Sequence, residues 1–307
     1  MSGQLQIRTL VIEGDLDSFL AVRNESELQP LSAEQWRARQ ARVPPARFER
    51  FLVGEIEGQI VATGWLREHE LLPGHLLASV KVLGRSRGRG TGSALAARLM
   101  GLAREWNPEG LEAHVLDDDP GARAWAEHRH FELADHRFNS RLELAAFADA
   151  GYQDAVSRMA ERGIRIEPAD DHDRVYELYA RLMADTPDEV QPPDRDFYDT
   201  HLVRDGVFRL VARAGERWVG IAIVEPMAPD GGYNSFTGVI PAARGRGVAT
   251  ALKVAAIQDA RRRGMAWLTA TNNVRNASML AINEALGYRR LKGVWIMRRR
   301  LGREPGC

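Results

Sequence analysis

Three short apolar runs, "FLVGEI" (51–56), "QIVATGWL" (59–66) and "HLLASVKV" (75–82), follow one another with Glu-Gly and Pro-Gly breaks between them. Runs of this length bounded by turn formers predict strands joined as hairpins. The period then changes. Leu95, Leu99, Leu102 and Ala103 recur at helical spacing, followed by a strand-like "LEAHVL" (111–116), a short helix and "HRFNSRLEL" (136–144). Hairpins succeeded by a strand–helix–strand unit predict a mixed α/β class.

The same order returns in the second half. A helical stretch (171–184) precedes "RLVARA" (209–214), "RWVGIAIV" (217–224) and "YNSFTGVI" (233–240). A helix with Val248, Leu252, Ala255 and Ala256 on one face stops at Gly264, and "AWLTAT" (266–271), "NASMLAINEAL" (276–286) and "GVWIMRRRL" (293–301) close the series. Sliding the chain on itself lays "GQIVATG" (58–64) over "ERWVGIA" (216–222) and Phe131 over Tyr288. Such ordered matching predicts a duplicated domain, because solenoid repeats are only about 20–50 residues long. The 307 residues suit two domains of about 150. The expected division is 1–148 and 164–307, with 149–163 a helical connector ending at Gly163.

Composition narrows the partners. Lys plus Arg and Asp plus Glu are equal at 42 each, which disfavours a protein that coats nucleic acid or an anionic membrane. Cys307 is the only cysteine, so no intramolecular disulfide forms and nothing points to an oxidising compartment. Acidic residues interrupt the N-terminal stretch, and no apolar run approaches the roughly 20 residues of a membrane span. The expectation is a cytoplasmic protein, monomer or homodimer, with no metal site.

The candidate chemistry lies where the duplicated strand meets the duplicated helix. "RGRGTGSAL" begins at Arg87 and "RGRGVATAL" at Arg244. A glycine-rich turn at a helix N-terminus exposes unpaired N–H groups to an anion, and arginine adds a charged donor. Neither loop has the lysine of a phosphate-binding Gly-Lys-Ser/Thr motif, and both lack the third glycine of the dinucleotide fingerprint. Disordered Arg-Gly tails do not sit between a strand and an amphipathic helix. One copy of the loop would pass as an ordinary turn; two at matching places do not.

These loops resemble the Arg/Gln-x-x-Gly-x-Gly/Ala pattern of the GNAT family of acyl-CoA-dependent N-acetyltransferases, read here as Arg87, Gly90, Gly92 and Arg244, Gly247, Ala249. "TGVIPAARGRGVATAL" (237–252) and "TNNVRNASMLAINEALGY" (271–288) extend the resemblance over most of 164–300, and more weakly over 6–144. It implies two tandem domains, each a mostly antiparallel sheet with a splayed central strand pair flanked by helices, and acetyl-CoA as cofactor. It also implies pyrophosphate on the N–H groups of Arg244, Gly245, Arg246, Gly247, Val248, Ala249 and Thr250, and of Arg87, Gly88, Arg89, Gly90, Thr91 and Gly92. Pantetheine would pair with backbone at Val239 and Ile240, and at Val82 and Leu83, with Asn272 and Asn276 beside it. Asn276 is equally suited to cap its helix.

The resemblance further implies transfer to a primary amine of a small molecule. Glu225 is the candidate base. A backbone N–H near Val239 is the expected oxyanion donor. The family's usual thiolate-protonating tyrosine has no counterpart, since Asn283 and Ala126 stand there, which leaves water, Tyr233 or Tyr198. Around the place matching Glu225, the first half has Glu68, His69 and Glu70. With His130 in place of glycine and Asp117, Asp118 and Asp119 near the loop, that half is expected to be structural or a weak CoA binder, and the second half catalytic. A non-catalytic acyl-CoA sensor is the competing reading. A tRNA-dependent aminoacyl transferase is a third, disfavoured by the loops and the charge balance. The acceptor would lie against 25–45 and 172–205, including the acidic, aromatic stretch 185–199.

Overall fold

The computed structural model describes residues 3–27, 30–148, 151–186, 191–192, 194–227 and 229–302. Cys307 and part of the 185–199 stretch lie outside them. Contacts divide the chain into two compact units, one of Met1–Ala134 with Trp295–Cys307, the other of Asp135–Val294.

In the N-terminal unit, strand β1 (Gln6–Thr9) leads to helices α1 (Ile12–Asn24) and α2 (Ala33–Gln40), then the antiparallel strands β2 (Glu49–Ile56), β3 (Gln59–Glu68) and β4 (His75–Val82). Helix α3 (Thr91–Trp106) carries the chain back to β5 (Gly110–Leu116), which pairs parallel to β4. Such a crossover needs a long connection, and the helix supplies it. Leu95, Leu99 and Ala103 of α3 bury their apolar stripe against Leu52, Ala62, Leu66, Leu76 and Leu111 of the sheet. Helix α4 (Pro120–Glu127) follows.

The C-terminal unit repeats the plan. Helix α5 (Gln153–Glu161) precedes β7 (Ile164–Pro168), α6 (His172–Met183) and α7 (Arg195–Leu202). Strands β8 (Phe208–Ala214), β9 (Arg217–Met227) and β10 (Gly231–Val239) are antiparallel, and α8 (Val248–Arg262) crosses to β11 (Trp267–Asn273), parallel to β10. Helix α9 (Ala277–Ala285) completes it. This is the mixed α/β plan the sequence predicts, with the splay visible in the register. β4 meets β5 only at His75↔Gly110, Leu76↔Leu111 and Leu77↔Glu112, and β10 meets β11 only from Gly231↔Trp267 to Tyr233↔Thr269. Beyond those rungs each pair parts into a V.

The closing strands depart from a simple cut at the connector. β6 (Glu132–Glu143) pairs with β11 from Arg137 to Glu143, and β12 (Arg289–Arg300) is the neighbour of β5 in strand order. Residues 135–148, expected in the first domain, therefore group with the second unit, and 295–307 with the first. A strand belongs with the partners that satisfy its backbone, not with its sequence neighbours. Of the expected connector, the helical part described is α5. No helix among the described residues is long and apolar enough to cross a membrane.

Candidate functional site

Both glycine loops are built alike. A 3₁₀ turn (Gly84–Ser86, Pro241–Ala243) ends each strand, and left-handed glycines follow: Gly88 at φ 75° and Gly90 at 82°, Gly245 at 70° and Gly247 at 84°. Any other residue would be strained there. Gly90 and Gly247 are the N-caps of α3 and α8, and neither helix start has a side-chain cap. Their first N–H groups lack intrahelical acceptors and stand at the positive end of the helix dipole. Thr91 and Val248 are buried and anchor the first turns, while the loop residues from 87 to 90 and from 244 to 247 are exposed. Gly92, Ala249 and Thr250 are half-buried in those first turns.

Each loop arginine also makes contacts within the protein. Arg87 Nε donates to Val82 O (3.1 Å) and Arg244 Nε to Val239 O (3.0 Å), so each tethers its loop to the strand before it. Arg87 also pairs with Asp119 at 3.5 Å, and Arg244 with Asp185. Arg162 Nη1 donates to Arg246 O (3.1 Å), while the Arg89 and Arg246 side chains are exposed. The backbone named for pantetheine is partly committed. Leu83 N–H donates to Val61 O (3.0 Å) and Ile240 N–H to Val219 O (2.9 Å). The strand edge left open by the V lies just before them, along 78–82 and 234–239, because the parallel ladder has already ended.

In the N-terminal unit this V opens into a cavity of about 710 Å³, lined by the loop glycines, by Ala78–Val82, by Ala113–Leu116 and by Ala96, Trp125 and Ala126. That volume lies within the usual range for a small-molecule cleft. Lys81, Arg87, Arg129, Arg299, His114 and Asp119 are its charged or titratable lining. Glu112, only 2% exposed, sits on the last rung of the V. Its Oε1 meets His114 Nε2 at 2.8 Å and His69 Nε2 at 3.2 Å, and its Oε2 accepts from Arg298 Nε at 2.8 Å. Burial would raise its pKa, but hydrogen bonds and charge from His114 and His69 outweigh it and hold the carboxyl well below the usual range. Glu68 lies apart from that cluster, accepting weakly from Phe48 N–H (3.4 Å).

The C-terminal V is furnished with polar groups instead. β10 has a bulge between Tyr233 and Phe236, absent from the unbroken β3–β4 ladder. In the bulge, Asn234 Nδ2 donates to Ile223 O (3.0 Å) and Phe236 O (3.1 Å), and its Oδ1 accepts from Thr237 Oγ1 (3.1 Å) and from Lys253 Nζ. Lys253 is 2% exposed and 5.1 Å from the Tyr288 ring; burial pushes its ammonium down to about 7. By the repeat it occupies the place of cavity-lining Ala96.

The candidate catalytic residues come together. Tyr233 and Glu225 are register partners across β9–β10, and Tyr233 is on the last rung with β11. Glu225 Oε2 accepts from Arg204 Nη2 at 3.2 Å. Tyr179 packs beside them; burial, then the nearby Glu225 and Tyr233, raise its hydroxyl pKa. Tyr198 is fully buried against Tyr176 and Tyr179. Asn276 Oδ1 caps α9 at Met279 N–H (3.2 Å), as Asp119 caps α4 at Ala122 N–H (2.8 Å). Asn272 Oδ1 accepts from Asn283 Nδ2 at 2.6 Å, and Asn283 Oδ1 is buried without a partner. Sequence reasoning missed Glu112, His114, Asn234 and Lys253. The Glu-x-His spacing inside a strand was the available signal, since alternate strand residues share a face.

The acetyltransferase (GNAT) family model matches residues 15–131 and 157–288, so the chain belongs to the acetyltransferase (GNAT) family, whose members use acetyl-CoA as acyl donor. Among solved structures, a tandem GNAT protein from the clavulanic acid biosynthesis pathway is 20% identical at TM-score 0.75, covering 97% of this chain and 99% of that one. A GCN5-related N-acetyltransferase from Sphaerobacter thermophilus is 16% identical at TM-score 0.71, covering 97% and 96%. A glucosamine N-acetyltransferase region of a fungal multi-domain β-N-acetylglucosaminidase is 15% identical at TM-score 0.77, covering 97% of this chain and 38% of that one. A search of curated proteins finds no sequence match.

Proposed function

We propose that the chain transfers the acetyl group of acetyl-CoA to a primary amine of a small molecule, by direct attack in the C-terminal unit. The observation that carries this reading is the Tyr233–Glu225 register pair on the rung where β10 and β11 part. Acetyl-CoA suits the residues present: the N–H groups at the start of α8, beside Arg246, have no side-chain cap, and residues 234–239 leave a strand edge for an extended chain. Bound there, it supplies the thioester carbonyl that the amine attacks. Asn272 and Asn276 flank the same end of β11 and α9.

A free alkyl amine has a pKa of about 10.4 and must shed a proton before it attacks. Glu225, held by Arg204, receives that proton directly or through an ordered water. Tyr233 offers its hydroxyl to the departing sulfur in place of the tyrosine that Asn283 replaces. Tyr179, buried beside Glu225 and Tyr233, crowds this corner, which favours a small acceptor over a protein side chain.

Thiol release from acetyl-CoA across an amine panel tests this. Glu225→Gln with Tyr233→Phe is expected to lower kcat by about 10²-fold or more, the usual contribution of a proton-transfer group, with acetyl-CoA affinity unchanged. Asn283 in the proton donor's place favours the second reading, an acyl-CoA sensor. Tight binding with no turnover by the parent chain would establish that reading instead.

A further inference from the structure

The N-terminal unit contains a set of groups that the reaction above does not use. Glu112 and His114 stand on one face of β5. Because Leu77↔Glu112 is the last rung, His114 lies where β4 and β5 have parted. Leu71 N–H donates to His69 Nδ1 at 3.1 Å, so His69 presents Nε2–H to the carboxylate. A carboxylate only accepts, so His114 also donates through Nε2, which leaves Nδ1 as its basic nitrogen. A purely structural cluster would be sealed. Here His69 is sealed at 9% side-chain exposure, but His114 is at 47% and lines the cavity together with the glycine loop. Arg298 balances the charge of Glu112, while the cavity's Lys81 and Asp119 have partners of their own in Glu27 and Arg87.

We propose that this cavity is a second acyl-transfer centre, in which His114 is the general base for an amine and Glu112 is the positioning residue that fixes its ring. The proposal rests on the reading that the chain uses acetyl-CoA and extends it to a site with its own machinery. The uncapped start of α3 and the open edge of Ala78–Val82 make the same cradle as in the other unit, within a cavity already the size of a ligand. As the amine nitrogen bonds to the thioester carbonyl carbon, its proton passes to His114 Nδ1. The C–S bond breaks with its electron pair on sulfur, and the imidazolium returns the proton to that sulfur. Nothing is oxidised or reduced.

The first test needs neither cofactor nor acceptor. Nitrogen-15 NMR of the full chain above pH 8 should show His69 and His114 as Nε2–H tautomers, with His114 moving on Glu112→Gln; an Nδ1–H His114 overturns the proposal. The second uses the full chain carrying Glu225→Gln and Tyr233→Phe. Thiol release remaining with acetyl-CoA and the amine panel, or with water as acceptor, should fall by about 10²-fold when His114→Ala is added. KM for acetyl-CoA should stay unchanged, the limb that rises with pH should disappear, and added imidazole should restore part of the rate. If the parent turns over but the double variant shows no His114-dependent remainder, the second centre is refuted and the C-terminal reading stands. If the parent neither binds nor turns over acetyl-CoA, both fail together. His114→Ala is expected to fold, since the residue is half-exposed; an unchanged melting transition checks this.

Discussion

The two clefts share a backbone and differ in what fills the V. In the N-terminal unit Ala96 and Ala126 leave space, and the titratable groups gather on β5. In the C-terminal unit Lys253 and Asn283 take those places, and the titratable groups face each other across β9 and β10. The contrast shows that duplicating a fold copies what the main chain does, namely left-handed glycines, an uncapped helix start and a parting strand pair. It does not copy the chemistry, which rests on a few side chains free to diverge around that frame.

Charge placed on the loops gives the largest expected effects. Gly247→Glu and Gly90→Glu each force a side chain onto a left-handed N-cap and put an acid where the pyrophosphate is proposed to sit. Calorimetry should show two acetyl-CoA equivalents per chain falling to one in either variant, the lost site weakening by at least about a hundredfold. One equivalent in the parent, removed by only one of the two changes, would break the symmetry between the two loops.

Next comes a graft. Ala96→Lys puts the other unit's lysine into the cavity and should weaken N-terminal binding by roughly tenfold while leaving the C-terminal site untouched, read as one changed isotherm out of two.

The reverse comparison is a stability measurement. Lys253 is lowered to about 7 from 10.5, so between those values the unfolded chain binds the extra proton. The penalty of burying this amine is complete below about pH 7 and fades as pH climbs towards 10.5. Lys253→Met should therefore raise the melting temperature at pH 7 by several degrees, with the gain shrinking by pH 10. A gain that grows with pH would refute the assignment.

The smallest effect tests equivalence. Asp119→Ala and Asn276→Ala each remove a helix cap, and each should cost about 1 kcal/mol in urea unfolding.

Much of the frame was legible. β4 coincides with the run "HLLASVKV", and α3 and α8 with the apolar stripes read at helical spacing, because local pattern governs elements that bury one face. The glycine loops were legible because only glycine tolerates their dihedrals. The trade of β6 and β12 was not, since strand ownership depends on pairing between residues more than a hundred positions apart. Nor was the Asn234 bulge: one extra residue in a strand leaves no mark on apolar alternation. Lys253 follows Leu252 on a helix that reads as amphipathic, and nothing local says that its ammonium turns inward to a bulge. His114 was missed: its spacing from Glu112 is that of a shared strand face, but His69 and Arg298 arrive from distant segments.

Arg298, which steadies the Glu112 carboxylate, lies on β12, after the second copy in sequence. A gene fragment ending at the connector would yield an N-terminal half whose deepest acid has lost its guanidinium, along with Met297 of its apolar core. The interior of the first copy is thus finished by a strand that follows the second copy in sequence, so a substitution in β12 is felt in the N-terminal unit's core.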